Sequence, residues 1–355
     1  MKNILISTGG SGGHTVPAKI IYEHLKREFN LFISSDNRGI KFLDKEECNI
    51  KIIDVTKISK NIFLLPVQIF SLILIIIKSF FFLKEKKIEI LISTGGYMSL
   101  PLCVASKILN IKLFLFEPNL VLGRTNKLFI HNCHKIFCYS SKIKNFPSNL
   151  KYKMSIIPPL LRKEFYNPKE TSIIDKNVSL LIIGGSQGAK LFDELAQSSI
   201  IDLSKKYRLK VYQQTNKKNF QRLKLFYQAN EIEYELFDFN QNISALMSKA
   251  NICLTRAGAS TLAELVFLNI PHLAIPLPTA KDNHQFENAS FYNQHGCNWI
   301  LNQNEINDTN LTNKLFNIID NKEEYFNKKK NMKNFSYQNT WNNINQKIIS
   351  TINEN

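Results

Sequence analysis

The feature that most constrains the fold is a pattern that occurs twice: a short apolar run stops at a glycine-rich turn and continues as a helix. The first copy runs from Asn3–Ser7 into GGSGGH (9–14), and the second runs from Val178–Ile183 into GGSQGA (184–189). Short β-rich runs stopped by glycine are typical of buried parallel strands. The chain has 355 residues, and at roughly 150 residues per domain it can form two such domains.

Further short apolar runs, most of them separated by helix-length segments, predict a parallel sheet in each half. We therefore predict an α/β fold of two doubly wound, Rossmann-like domains, over about 1–160 and 161–335, with a linker in Pro158–Pro168. A first helix is predicted over about 16–28, and a helical tail over about 336–355 has a weak apolar stripe that packs back on the first domain. The additional predicted strands are Leu31–Ser35, Lys51–Val55, Ile88–Ser93, Lys112–Phe116, Lys135–Cys138, Leu209–Gln213, Tyr234–Phe237, Ile252–Thr255 and His272–Ile275.

Residues 62–83, IFLLPVQIFSLILIIIKSFFFL, are the one stretch long and apolar enough to span a bilayer. Polar residues and Pro66 interrupt the stretch, and it lies between two predicted strands of one sheet, which a spanning helix would separate. Three interpretations stay open: a transmembrane helix, an ordinary core helix, and a helix that docks on a membrane through an exposed apolar face. The last is favoured by basic residues at its end, Lys78, Lys84, Lys86 and Lys87.

The net charge of +17 predicts anionic partners, namely phosphates, nucleic acid or an anionic membrane surface. Coding bias toward Lys, Asn and Ile is the alternative explanation. No nucleic-acid motif accompanies the charge. The six cysteines form no CxxC pair, which predicts reduced thiols and no zinc site. The first residues predict no signal peptide, because their apolar run is short and leads into glycines.

The turns after the predicted strands carry the candidate binding residues. In the first turn, backbone amides can cradle a phosphate or a sugar, and His14 is placed to take a proton near neutral pH. Asp36 follows the second strand, where a dinucleotide fold has its ribose-binding acid, so a nicotinamide oxidoreductase is one alternative. The absence of GxGxxG counts against it. There are two purely structural alternatives. The glycines serve only the geometry of a tight turn, and His14 only caps the helix.

Two turns in the middle of the first half also follow predicted strands. STGGYMSLP (93–101) contains Gly95, Gly96 and Tyr97, and the two glycines would leave space and amides for an acceptor. FEPNLVLGRTNK (116–127) contains Glu117 and Asn119, which offer an acceptor and a donor to sugar hydroxyls. A plain turn at the intervening proline is the alternative.

The second half has three such sites at strand-to-helix junctions, where open α/β sheets bind ligands. Ser186 and the amides of its turn suit a phosphate. The small residues of TRAGASTLAE (255–264) let a ligand approach the backbone closely. Glu264 can hold a ribose diol through two hydrogen bonds, and its alternative role is a favourable interaction with the dipole of its own helix. The box KDNHQFENA (281–289) contributes amide side chains, including Gln285.

Taken in order, these six motifs resemble the MurG family, the undecaprenyl-pyrophosphoryl-MurNAc-pentapeptide N-acetylglucosaminyltransferases of peptidoglycan synthesis. The resemblance covers roughly residues 1–300. It implies a GT-B fold, with two Rossmann-like domains facing a cleft, and an inverting transferase with neither metal nor cofactor. It places the protein peripherally at the cytoplasmic face of the inner membrane, with UDP-GlcNAc and lipid I as substrates. It leaves room for other cell-wall synthesis proteins as partners.

The reaction that the resemblance implies needs a base to accept the proton of the MurNAc 4-hydroxyl, and His14 is our candidate for it. Gly95, Gly96, Tyr97 and Glu117 stand on the acceptor side. The resemblance implies contacts with UDP-GlcNAc from Ser11, Gly12, Gly13, Asn119, Arg162, Ser186, Asn240, Ala259, Ser260, Thr261, Leu262, Ala263, Glu264 and Gln285.

Three rival functions remain at this stage. Another GT-B enzyme, such as a UDP-GlcNAc 2-epimerase or a glycolipid synthase, would use a similar donor site, although an epimerase has no need of the apolar segment. A nicotinamide oxidoreductase rests on Asp36 and the glycine turns. A non-catalytic membrane-bound protein that binds nucleotide sugars would keep the donor motifs without turnover.

Overall fold

A computed structural model describes residues 1–43, 49–55, 63, 65–167, 174–184, 191–238 and 242–354 of the chain. The chain divides into two compact units: residues 1–160 together with 341–355 form the first, and residues 161–340 form the second. Each unit is built on one parallel sheet with helices.

The first unit contains a seven-stranded sheet in the order β3-β2-β1-β4-β5-β6-β7, in which every pair is parallel. Its central strands are almost wholly buried, as expected for a parallel sheet between helices, whereas the two edge strands are more exposed. They are β1 Asn3–Ser7, β2 Asn30–Ser35, β3 Ile50–Ile52, β4 Ile90–Ser93, β5 Lys112–Glu117, β6 Lys135–Cys138 and β7 Met154–Ile156. Its helices are α1 Gly12–Leu25, α2 Leu65–Glu85, α3 Leu100–Ile108 and α4 Arg124–Phe129.

The second unit contains a six-stranded parallel sheet in the order β10-β9-β8-β11-β12-β13. Its strands are β8 Asn177–Ile183, β9 Arg208–Gln214, β10 Glu233–Phe237, β11 Ile252–Thr255, β12 His272–Ala274 and β13 Trp299–Ile300. Residues 191–195 are helical, and the remaining helices of this unit are α5 Gln197–Lys206, α6 Phe220–Ala229, α7 Ile243–Met247, α8 Ala259–Phe267, α9 His284–Gln294, α10 Asp308–Asp320 and α11 Lys322–Ser336.

The last helix, α12 (Trp341–Asn353), packs on the first unit. The Trp341 ring stacks on His24 of α1 with the ring centroids 3.7 Å apart, and the hydroxyl groups of Thr351 and Ser155 are 2.9 Å apart. Ile344, Ile348 and Ile352 of α12 are buried. The apolar stripe of the tail is therefore covered by the first unit.

The structure differs from the sequence prediction by a few residues in the bounds of several strands, and more clearly at the start of the first helix and at two short strands. Helix α1 begins at Gly12 instead of near residue 16, because the Ser11 carbonyl already accepts the amides of His14 and Thr15. Strands β7 and β13 were not predicted, since they have only three and two residues and their apolar runs are correspondingly short. The predicted strands β1, β6 and β11 have the bounds that the sequence indicated.

Helix α2 connects β3 to β4 within one sheet, and its outer face is apolar and exposed. Among the described helices it is the one whose length and composition would allow it to cross a membrane, yet only 11% of its most apolar 18-residue window is buried. Only its last turns contribute buried residues, namely Ser79, Phe82 and Leu83. An ordinary core helix, one of the three interpretations of this segment, is therefore wrong.

Candidate functional site

The site residues of the first unit gather where β1, β2 and β4 end together. Ser7 of β1 is paired with Ser34 of β2 on one side and with Ser93 of β4 on the other. The turns that follow these three strands therefore emerge at one edge of the sheet. They carry the predicted residues Ser11–His14, Gly95–Tyr97 and Asp36.

His14 lies against the turn that follows β4. Its Nδ1 is 2.8 Å from the carbonyl oxygen of Thr94, and because a carbonyl only accepts, Nδ1 carries the proton. The lone pair of the neutral ring is then on Nε2. Gly95 and Gly96 both have positive φ, and a methyl group on either would lie within 3.5 Å of the ring. The structure thus brings the predicted base together with two predicted acceptor-side glycines.

Asp36 holds the first glycine-rich turn in place. Its Oδ1 accepts the amides of Gly10 at 2.7 Å and Gly39 at 2.8 Å, and its Oδ2 accepts Nε of Arg38 at 2.8 Å. Burial acts to raise the pKa of Asp36, but the hydrogen bonds from Gly10, Gly39 and Arg38 outweigh it and leave the pKa lowered. With its carboxylate 2% exposed and used in this way, Asp36 cannot serve as the ribose-binding acid of a nicotinamide enzyme.

Tyr97 links the turn after β4 to Arg38. Its hydroxyl donates to the carbonyl of Val55 at 3.0 Å and accepts from Nη2 of Arg38 at 3.3 Å. Tyr97, predicted on the acceptor side, therefore braces the rim of this edge of the sheet.

Glu117, at the end of β5, organises the turn that leads into α4. Its Oε1 accepts the amide and the side-chain nitrogen of Asn119, at 3.2 and 3.1 Å. Its Oε2 accepts the amide of Gly123 at 2.7 Å and Nδ2 of Asn126 at 2.9 Å. Burial raises the pKa of Glu117, and these hydrogen bonds oppose the rise. Both oxygens are thus engaged within the turn, and the contacts of Glu117 and Asn119 with a substrate stay predictions.

In the second unit, the predicted nucleotide-contacting residues lie at the start of α8. Gly258 precedes the helix in an extended conformation, and Ala259, Ser260 and Thr261 form the partly exposed first turn. The side chains of Leu262 and Ala263 are buried in the core. Only the backbone of these last two residues is therefore suited to contact a ligand.

Glu264 and Arg162, both predicted to contact the donor, are paired with each other. Nη2 of Arg162 donates to Oε1 of Glu264 at 3.0 Å, and the guanidinium also lies beside Glu164 at 3.6 Å. Burial raises the pKa of Glu264, whereas the charge and hydrogen bond of Arg162 act to lower it. The pair unites two residues that are 102 positions apart in the sequence.

Gln285 is oriented by the two turns that it joins. Its Oε1 accepts the amides of Ala257 at 3.3 Å and Leu277 at 3.0 Å, so its NH₂ group is the end available as a donor to a sugar. Nδ2 of Asn288 donates to the carbonyl of the same Ala257 at 3.2 Å. The loop before α8 is thereby fixed by α9.

Arg256 is a residue of this edge that sequence reasoning did not single out. Its buried guanidinium donates to the carbonyls of Ile275 and Pro276, at 3.1 and 3.3 Å, and to Gln303 at 2.8 Å. It therefore holds the segment that leads to Gln285. A basic residue directly after the buried strand β11, within TRAGASTLAE, was the available signal.

Two predicted donor contacts, Ser186 and Asn240, lie outside the described residues. Among the residues that are described, no cluster of His, Cys, Asp and Glu side chains is arranged to hold a metal ion. The predicted residues Ser11, Gly12, Gly13 and Asn119 belong to the first unit, and the other described donor contacts belong to the second.

Comparison with known proteins places these motifs in a family. Residues 4–138 match the Glycosyltransferase family 28 N-terminal domain, and residues 179–344 match the corresponding C-terminal domain. A protein of Pelagibacter ubique (strain HTCC1062) is 60% identical over 354 residues, which cover 100% of this chain and 99% of that protein. It is named UDP-N-acetylglucosamine--N-acetylmuramyl-(pentapeptide) pyrophosphoryl-undecaprenol N-acetylglucosamine transferase.

Solved structures share the fold. The crystal structure of Acinetobacter baumannii MurG matches with a TM-score of 0.77 at 22% identity, over 99% of both chains. A UDP-GlcNAc 2-epimerase from Neisseria meningitidis, solved with UDP-GlcNAc bound, matches with a TM-score of 0.66 at 15% identity, over 100% of both chains. The fold alone therefore does not separate a transferase from an epimerase. The sequence matches do, and by them the chain belongs to the MurG family of glycosyltransferase family 28.

Proposed function

We propose that the protein transfers N-acetylglucosamine from UDP-GlcNAc to the 4-hydroxyl of MurNAc in undecaprenyl-pyrophosphoryl-MurNAc-pentapeptide, lipid I, giving lipid II and UDP. The observation that carries the proposal is the 60% identity, over the whole chain, to a relative that is named for this reaction. The α/β fold in two units agrees with it.

In the proposed reaction, Nε2 of His14 accepts the proton of the acceptor 4-hydroxyl. The oxygen attacks the anomeric carbon of GlcNAc, the bond from that carbon to the β-phosphate oxygen breaks, and its electron pair leaves with UDP. Attack from the opposite side converts the α linkage to β. The hydrogen bond from Nδ1 to Thr94 supports this role, because it fixes the ring with its lone pair on Nε2. A general base contributes roughly 10²–10⁴-fold to the rate.

The donor is proposed to bind mainly to the second unit. Glu264 accepts the ribose hydroxyls, the backbone from Ala259 to Ala263 lines the nucleotide, and Gln285 donates to the sugar. Arg162 contacts the donor, and the amides near Ser186 stabilise the negative charge of the departing diphosphate. Asn240 contacts the base. Ser11, Gly12, Gly13 and Asn119 of the first unit contact the GlcNAc ring.

The protein is proposed to act on the cytoplasmic face of the inner membrane, bound peripherally through α2. An exposed stripe along this helix supports the proposal, since its apolar residues recur every three or four positions and are 43–64% exposed: Val67, Phe70, Leu74, Ile77 and Phe81. Lys84, Lys86 and Lys87 follow the stripe. An apolar stripe beside basic residues is typical of interfacial helices.

Acceptor-dependent release of UDP tests the proposed reaction. The full chain is incubated with UDP-GlcNAc, with and without a lipid I analogue, and both UDP and the sugar product are measured. We expect UDP release only with the analogue, together with a β-linked disaccharide product. UDP release that ignores the analogue, or a GlcNAc epimer formed without it, would refute the transferase and favour an epimerase.

Vesicle flotation tests the proposed membrane site. Phe70→Glu combined with Leu74→Glu is expected to abolish binding to anionic vesicles, whereas neutralising Lys84, Lys86 and Lys87 weakens it by roughly 1 kcal/mol per lysine. The matched control is Leu128→Glu, an exposed apolar residue outside α2. Binding that survives the α2 substitutions would refute α2 as the membrane site.

A further inference from the structure

Arg38 is a cation at the same edge of the first sheet as His14 that no part of the proposed reaction uses. Its side chain is 50% exposed, whereas that of its partner Asp36 is 2% exposed. Its Nε donates to Asp36 and its Nη2 donates to the hydroxyl of Tyr97. The guanidinium is therefore held in a fixed orientation while half of the side chain faces solvent.

Arg38 and His14 lie on two adjoining turns. A methyl group on Gly96 would lie 3.5 Å from Nε2 of His14 and 3.9 Å from the carbonyl oxygen of Gly9. A methyl group on the neighbouring Gly10 would lie 3.8 Å from Nη2 of Arg38. His14 and Arg38 thus flank the same pair of turns. The glycine pairs 9–10 and 95–96 carry no side chains in these turns.

The acceptor presents two groups that such an edge would have to serve. Its reacting 4-hydroxyl and its diphosphate are attached to opposite sides of the MurNAc ring, so a base and a phosphate-binding group must stand about one sugar apart. Three amides of the first turn are already engaged within the protein: Gly10 donates to Asp36, and His14 and Thr15 donate to the carbonyl of Ser11. A guanidinium can donate two parallel hydrogen bonds to a phosphate.

We propose that Arg38 binds the diphosphate of the lipid-linked acceptor and so sets the MurNAc ring with its 4-hydroxyl toward His14. This inference rests on the proposed transferase function and deepens it. Asp36 and Tyr97 orient the guanidinium before the substrate arrives, which lowers the entropy lost on binding.

Steady-state kinetics of Arg38→Gln with a lipid I analogue test the proposal. We expect the acceptor KM to rise about 10- to 100-fold, the loss that follows removal of a hydrogen-bonded charge. The donor KM and the melting temperature are expected to stay unchanged. Arg38→Lys keeps the positive charge but loses the planar guanidinium, so its acceptor KM is expected to lie between those of Arg38→Gln and the wild type. Arg27→Gln, the same charge change at an exposed position after α1, is the matched control.

Inhibition by geranyl diphosphate isolates the phosphate contact from the rest of the acceptor. We expect it to compete with the acceptor in the wild type and in Arg27→Gln, and to lose its effect in Arg38→Gln, with geraniol inhibiting neither. An unchanged acceptor KM or undiminished inhibition in Arg38→Gln would overturn the proposal. If Arg38→Gln lowered kcat, donor affinity and melting temperature together, the proposal would also be overturned, because Arg38 would then have only a structural role. A wild type without acceptor-dependent UDP release would instead refute the proposed function.

Discussion

The two units each place a buried carboxylate at the edge of the sheet where the predicted site lies, but they hold it differently. In the first unit, Asp36 accepts two backbone amides and the side chain of Arg38. In the second unit, the described hydrogen-bond partner of Glu264 is one side chain, that of Arg162. Backbone amides cannot leave without unfolding the turn, whereas a side chain can turn to a ligand. Asp36 therefore shapes its turn, and Glu264 remains exchangeable.

Glu117 of the first unit resembles Asp36, because its carboxylate also accepts hydrogen bonds from its own turn. Four donors from three residues of its turn surround its two oxygens. The first unit thus uses Asp36 and Glu117 to fix loops, and His14 and Arg38 are the residues proposed to act on a substrate. Substitutions in the two units test this division, and they are expected to differ widely in the size of their effects.

The largest effect is expected from His14→Ala, since it removes the group of the first unit that is proposed to act as the base. We expect kcat to fall about 10²- to 10⁴-fold, with a modest change in the donor KM, measured by acceptor-dependent UDP release. His131→Ala, an exposed histidine of the same unit, serves as the control. Near-normal turnover of His14→Ala would remove it from the role of base.

A large effect on stability is expected from Asp36→Ala. The substitution leaves the amides of Gly10 and Gly39 without their acceptor, and we expect it to lower the free energy of unfolding by about 2–4 kcal/mol. Asp36→Asn, which keeps one acceptor oxygen, should lose less. Denaturant unfolding measures both. An Asp36→Ala protein as stable as the wild type would contradict the structural role of this carboxylate.

Glu264→Gln is expected to show the reverse pattern. Its donor KM should rise about 10- to 100-fold, because a charged acceptor for the ribose is lost. Its unfolding free energy should change little, since Arg162 keeps Glu164 nearby. If Glu264→Gln destabilised the protein as much as Asp36→Ala without changing the donor KM, the comparison between the two units would fail.

A smaller, pH-dependent effect is expected from Arg162→Gln. Burial already raises the pKa of Glu264 above 4.5, and Arg162 opposes that rise. Without the guanidinium the pKa rises further, so Glu264 is protonated at a higher pH and loses its two-oxygen acceptor. The donor KM of the variant should therefore increase as pH falls from neutral toward 4.5, and more steeply than in the wild type. Parallel pH profiles would contradict the coupling.

The sequence predicted the sheets well and the contacts poorly, for physical reasons. A short apolar run that leads into a turn of small residues is a local signal, so β1 and β11 were predicted with their observed bounds. A strand of two residues, such as β13, leaves no such signal. Asp36 was assigned as a possible ribose acid because position alone cannot reveal which amides a carboxylate accepts. The pairing of Arg162 with Glu264 spans 102 positions and depends on the folded sheet.

Hydrogen–deuterium exchange with UDP and with UDP-GlcNAc tests the central claim, that the second unit holds the nucleotide and the first handles the sugar and the acceptor. UDP is expected to slow exchange of the amides in residues 256–264 of the second unit and to leave residues 9–14 unchanged. UDP-GlcNAc should slow exchange in residues 9–14 as well. If UDP alone protected residues 9–14 as strongly as 256–264, or left 256–264 unprotected, the assignment of the two units would be wrong.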